Sequence, residues 1–111
     1  MAADYSTEEL RGRLSTVTVV EALGPSFFAT GHIPGAINIP PLRVTELAPS
    51  LLPEKDAPIV VYGAHEGSES ADVVVRRLAV LGYRHVSRYP DGKAGWAEAG
   101  LPLVEEAGGE R

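Results

Sequence analysis

Short β-branched runs alternate with amphipathic segments along the chain, and proline and glycine separate nearly all of them. Val17-Thr18-Val19-Val20 is halted by Gly24-Pro25, and Ala36-Ile37-Asn38-Ile39 by Pro40-Pro41. Ile59-Val60-Val61-Tyr62 is the most strand-like run in the chain. His85-Val86-Ser87 supplies a fourth candidate strand. Strands spaced by helices need crossover connections. The alternation therefore predicts an α/β domain with a mainly parallel sheet and helices on both faces.

The helices carry their own signals. Ser6-Thr7-Glu8-Glu9 is a capping box and predicts a helix through Leu14. Phe27, Phe28 and Ala29 predict a helical turn closed at Gly31, a residue type that tolerates the left-handed conformation. Leu42, Leu47, Leu51 and Leu52 mark a helical segment that Pro49 is expected to interrupt and Pro53 to end. Val73, Val74, Arg77, Leu78 and Leu81 recur at helical spacing, so a helix is expected from near Ala71 to a cap at Gly82. Pro90-Asp91-Gly92 turns the chain into a last short helix around Trp96, expected to be a core aromatic.

With 111 residues, 44% of them hydrophobic, the chain suffices for one domain and not two. The expected domain spans residues 5–106, and 107–111 read as a flexible tail. Ten basic against 15 acidic residues give a net charge of −5, which repels phosphate backbones and acidic lipid, so neither nucleic acid nor membrane is expected as a partner. The start, Met-Ala-Ala-Asp-Tyr, has no basic or apolar leader pattern, and the expectation is a soluble, cytoplasmic protein. The chain has no cysteine, which excludes disulfides, thiolate metal sites and every mechanism with a cysteine nucleophile.

The segment after Tyr62 is the best candidate for chemistry. Gly63, Ala64, His65, Glu66, Gly67, Ser68, Glu69 and Ser70 form a polar loop between a buried strand and a helix. Its glycines let successive amides turn inward, and a helix start attracts anions. The same residues also suit a capped polar connection of the kind any α/β chain needs. Ser68 and Ser70 beside His65 and Glu66 could in principle form an activated hydroxyl. His65, Glu66 and Glu69 have metal-ligand side chains without a ligand spacing, so no metal and no cofactor are expected.

Gly31-His32-Ile33-Pro34-Gly35-Ala36-Ile37-Asn38-Ile39-Pro40 resembles the signature of rhodanese-like domains. Ile59–Tyr62, Leu78 through Leu81-Gly82-Tyr83 with Val86, Asp91-Gly92-Lys93-Ala94-Gly95-Trp96 and Gly100-Leu101-Pro102 follow in the family's order, over about residues 5 to 106. The resemblance implies a small doubly wound fold with a central, mainly parallel five-stranded sheet and helices on both faces, and a structural role for the signature turn Gly31, His32, Ile33, Pro34, Gly35 and Ala36. It also implies a persulfide-carrying cysteine opening the loop after the Val-Val-Tyr strand, where this chain has Gly63. The family's acidic residue and arginine near the end of the first strand correspond to Glu21 and Leu23, and the loop has no arginine or lysine.

Glycine has no side chain to hold sulfur covalently. The expectation is a catalytically silent domain, with no catalytic residue, that acts as a binding or regulatory module for a small anion or a protein partner through the Gly63–Ser70 loop. The alternatives are a sulfurtransferase-family enzyme or an unrecognised activity through the same loop.

Overall fold

The computed structural model describes residues 4–105, so the expected tail 107–111 lies outside the described residues. Helix α1 (Thr7–Arg13) leads to strand β1 (Thr18–Glu21), helix α2 (Pro25–Thr30) and strand β2 (Ile37–Asn38). A 3-10 turn (Pro41–Arg43) runs into helix α3 (Val44–Leu51), and strand β3 (Ile59–Tyr62) follows. Helix α4 (Glu69–Val80), strand β4 (Val86–Tyr89) and helix α5 (Gly92–Glu98) complete the order.

The sheet runs β2-β1-β3-β4 with every pairing parallel. It has four strands among the described residues, not five. The extended segment before α1 reaches the outer edge of β4 with one backbone bond, Tyr5 N to Arg88 O at 2.7 Å. One such bond falls short of a ladder.

Alternation along β3 explains the two layers. Ile59 and Val61 face a core with Val20, Val44, Ala48, Val74 and Leu78, beneath α3 and α4. Val60 and Tyr62 face the opposite core with Leu10, Val19, Ile33, Tyr89 and Trp96, beneath α1 and α5. All four β3 residues are buried, each contributing about 1.5–3 kcal/mol relative to an exposed position.

Both bonds of the α1 capping box are present: Ser6 N donates to Glu9 Oε1 at 2.9 Å and Glu9 N to Ser6 Oγ at 3.1 Å. Helix α4 closes as expected, since Gly82 N bonds Ala79 O and Tyr83 N bonds Leu78 O across the left-handed Gly82.

Three local expectations need correction. Gly31 has φ 160°, which is extended rather than left-handed, because the chain leaves α2 directly into a β-bridge between His32 and Val104. Pro49 lies inside α3 without interrupting it. The helix tolerates the missing amide, and Leu52 N still reaches Ala48 O at 2.7 Å. Helix α4 begins at Glu69, two residues before Ala71, because the polar Glu69 and Ser70 carry no apolar signal. Glu69 and Ser70 therefore belong to the helix, and the loop proper ends at its N-cap, Ser68.

Candidate functional site

β1 has β2 on one side and β3 on the other, so the chain changes direction across the sheet at the β1/β3 boundary. Crevices form at the carboxyl ends of such neighbouring strands. Those ends are Glu21 and Tyr62, which are register partners.

Glu21 is fully buried. Tyr62 donates its hydroxyl to Glu21 Oε1 at 2.6 Å and accepts from Ile33 N at 3.1 Å. Burial, then the hydrogen bond to Glu21 and its charge, push the Tyr62 phenol well above its ordinary value, so it remains a donor. Lys93 Nζ stands 3.1 Å from Glu21 Oε2 as an ion pair, although that oxygen accepts no hydrogen bond among the described residues. Lys93 also donates to Phe27 O at 2.7 Å. A charged pair thus closes the end of the sheet beneath the loop.

The loop leaves Tyr62 and is immediately clamped by α5. Lys93 N donates to Gly63 O at 2.9 Å and Ala94 N to Ala64 O at 2.8 Å. This contact requires glycine at position 92, where φ is +68° and a Cβ would stand 2.8 Å from both Gly63 O and His65 N. Gly92→Ala is expected to cost about 2–3 kcal/mol and to shift the backbone amide resonances of residues 63–65. Unchanged loop resonances would contradict the clamp.

Gly67 takes φ +84° at the tip, and Ser68 N donates back to His65 O at 3.1 Å. Ser68 caps α4 by position only, because its hydroxyl turns instead to Ser70 Oγ at 3.0 Å. That hydroxyl occupies the space a side chain on Gly63 would need. A Cβ built on Gly63 would lie 2.8 Å from Ser68 Cβ and 3.1 Å from Ser70 Oγ, with Ser68 Oγ closer still.

His65 does not join the serines: its Nδ1 pairs with Glu66 O at 2.8 Å, in solvent. The loop thus lacks the nucleophile–base contact that an activated hydroxyl needs. No group of three His, Asp or Glu side chains among the described residues is placed to hold a metal ion. His32, in the signature turn, stacks on Phe28 at 3.8 Å and pairs its Nδ1 with Phe28 O at 2.9 Å. Gly35 takes φ +82° in that turn.

A cavity of about 70 Å³ opens beside the loop, lined by Gly63, His65, Gly67, Ser68, Asp72 and Arg88 among others. One water needs roughly 10–15 Å³ of such space, so the cavity admits a group of a few heavy atoms. Arg88 and Lys93 are the cations the sequence reading missed. The sequence shows an acidic residue, Glu21, ending a buried strand, which demands a partner without saying which.

Residues 6–99 match the family described as the Rhodanese-like domain. The chain belongs to the rhodanese-like family. A protein named sulfurtransferase, from Allochromatium vinosum, is 30% identical and is covered over its whole length by 97% of this chain. An HTH-type transcriptional regulator of Mycobacterium tuberculosis is 36% identical over 87% of this chain, which spans only 42% of that protein. The crystal structure of a thiosulfate sulfurtransferase from Pseudomonas aeruginosa superposes with a TM-score of 0.82 at 29% identity, over 94% of this chain and 20% of that one. Within this rhodanese-like domain the volume above Gly63 belongs to Ser68.

Proposed function

We propose that this rhodanese-like domain is a catalytically silent binding module whose Gly63–Ser70 segment takes a small anion or the carboxylate of a protein partner. The observation that carries the reading is the packing of Ser68 Oγ and Cβ against Gly63, in a chain without cysteine. Sulfur transfer needs a thiolate that attacks a sulfane sulfur and holds it, and nothing here supplies one. The reading is supported by a glycine-bearing loop with a helix of 12 residues behind it and a cavity at its side. A regulatory setting is supported by the mycobacterial relative, named as a transcriptional regulator.

Two measurements test this. Thiosulfate:cyanide sulfurtransferase turnover by the native chain is expected at background, and turnover above the protein-free control would overturn silence. Gly63→Cys alone is expected to stay near background, because Ser68 stands in the way. Gly63→Cys with Ser68→Gly clears the space and is expected to turn over measurably. Separately, thiosulfate added to the native protein is expected to shift the backbone amides of residues 64–70. Shifts confined to other parts of the chain would overturn the loop as the binding surface.

A further inference from the structure

Arg88 lines the loop cavity and is already occupied. Its Nη1 donates to Asp72 Oδ1 at 2.6 Å, while Nε and Nη2 grip Asp4 as a fork, at 3.2 and 3.0 Å to Oδ1 and Oδ2. Asp72 belongs to α4 and lines the same cavity. Asp4 comes from the opposite end of the chain, and its neighbour Tyr5 bonds the backbone oxygen of the same arginine. The segment at Asp4 and Tyr5 is therefore a strap across the β4 edge, closed on a cavity residue. All three side chains of the cluster are half-exposed.

The charges explain what such a strap does. Asp72 alone neutralises Arg88, and with Asp4 in place the cluster carries a net negative charge. Glu66 and Glu69 add two more carboxylates on the loop and first turn of α4. An anion approaching this surface meets repulsion until one carboxylate leaves. Asp72 is fixed on a helix. Asp4 is held by a half-exposed pair, which is a weak tie.

We propose that Arg88 is the cationic arm of the loop cavity and that Asp4 competes with the incoming anion for it, so that ligand binding and release of the N-terminal strap are one exchange. This rests on the reading of the loop given above. A guanidinium has five N–H donors in a planar fork suited to carboxylate and oxyanion alike, so an oxyanion replaces Asp4 without any change in the arginine.

The test is a sulfate titration of the full chain at constant ionic strength, followed by the amide resonances of residues 64–70, with thermal melts confirming that each variant is folded. Asp4→Asn is expected to tighten sulfate about two- to fivefold, the scale of a half-exposed ion pair. Glu8→Gln removes the same charge from α1 without touching Arg88, and is expected to leave affinity unchanged. Arg88→Gln is expected to weaken binding about tenfold, and the gain from Asp4→Asn is expected to vanish in the double variant.

An Asp4→Asn affinity equal to the native one, an equal gain from Glu8→Gln, or a gain that survives in the double variant would each overturn the strap while leaving the loop reading intact. Sulfate that moves no loop amide in any of these proteins would overturn both.

Discussion

Lys93→Met is expected to lower the stability of the domain by about 3–5 kcal/mol. Methionine keeps the length and packing of the lysine stem and removes only the ammonium. Glu21 then remains fully buried with the Tyr62 hydroxyl as its one donor, at 2.6 Å. Lys93 is itself only 16% exposed in its side chain, so water does not readily replace it. An uncompensated buried carboxylate costs far more than the pair contributes when intact. The paired control is Glu21→Gln with Lys93→Met, which removes both charges and is expected to recover most of the loss. Urea midpoints at neutral pH read both. A Lys93→Met midpoint within error of the native one would show that the carboxylate needs no cation there.

Trp96→Ala is expected to cost a similar amount, about 3–5 kcal/mol, by a different mechanism. Trp96 is 1% exposed and packs edge-on against Tyr89, with ring centres 6.2 Å apart and planes at 89°. Its Nε1 donates to Pro102 O at 2.9 Å, tying the segment after α5 to the core. Alanine leaves a cavity among Leu10, Val60, Tyr62 and Tyr89 and removes that tie. Trp96→Phe keeps an aromatic ring and loses the donor, and because Pro102 is exposed and water can reach its carbonyl, about 0.5–1.5 kcal/mol is expected from the lost hydrogen bond. Circular dichroism must follow the unfolding, since this is the chain's one tryptophan. A loss below 1 kcal/mol for the alanine variant would mean that this core repacks around the gap.

What could be read from the sequence was local. The Ser6–Glu9 box and the run Ile59–Tyr62 specify their structures through neighbours a few residues away, and both formed as expected. The start of α4 lies earlier than expected because apolar periodicity begins at Ala71, whereas the first two helical residues, Glu69 and Ser70, are polar. The missing fifth strand came from resemblance rather than from a β-branched run, and the segment at Tyr5 makes a single sheet bond.

The candidate site was legible as a loop and not as a site. Gly63 could be aligned to the family's nucleophile position, but the turn of Ser68 into that space depends on loop geometry. Arg88 and Lys93 were invisible because their partners, Asp4 and Glu21, lie far away in sequence. Pairings of that kind follow from the fold and cannot be read from spacing.

The sheet's two outer strands carry a last consequence. β2 has only two residues and runs toward Pro40 and Pro41, which offer no amide to an incoming strand. On the other side, β4 has one of its outward carbonyls capped by Tyr5 and its flank covered by the strap. Neither border offers a long, free template, which protects a crowded solution of this protein against edge-to-edge stacking.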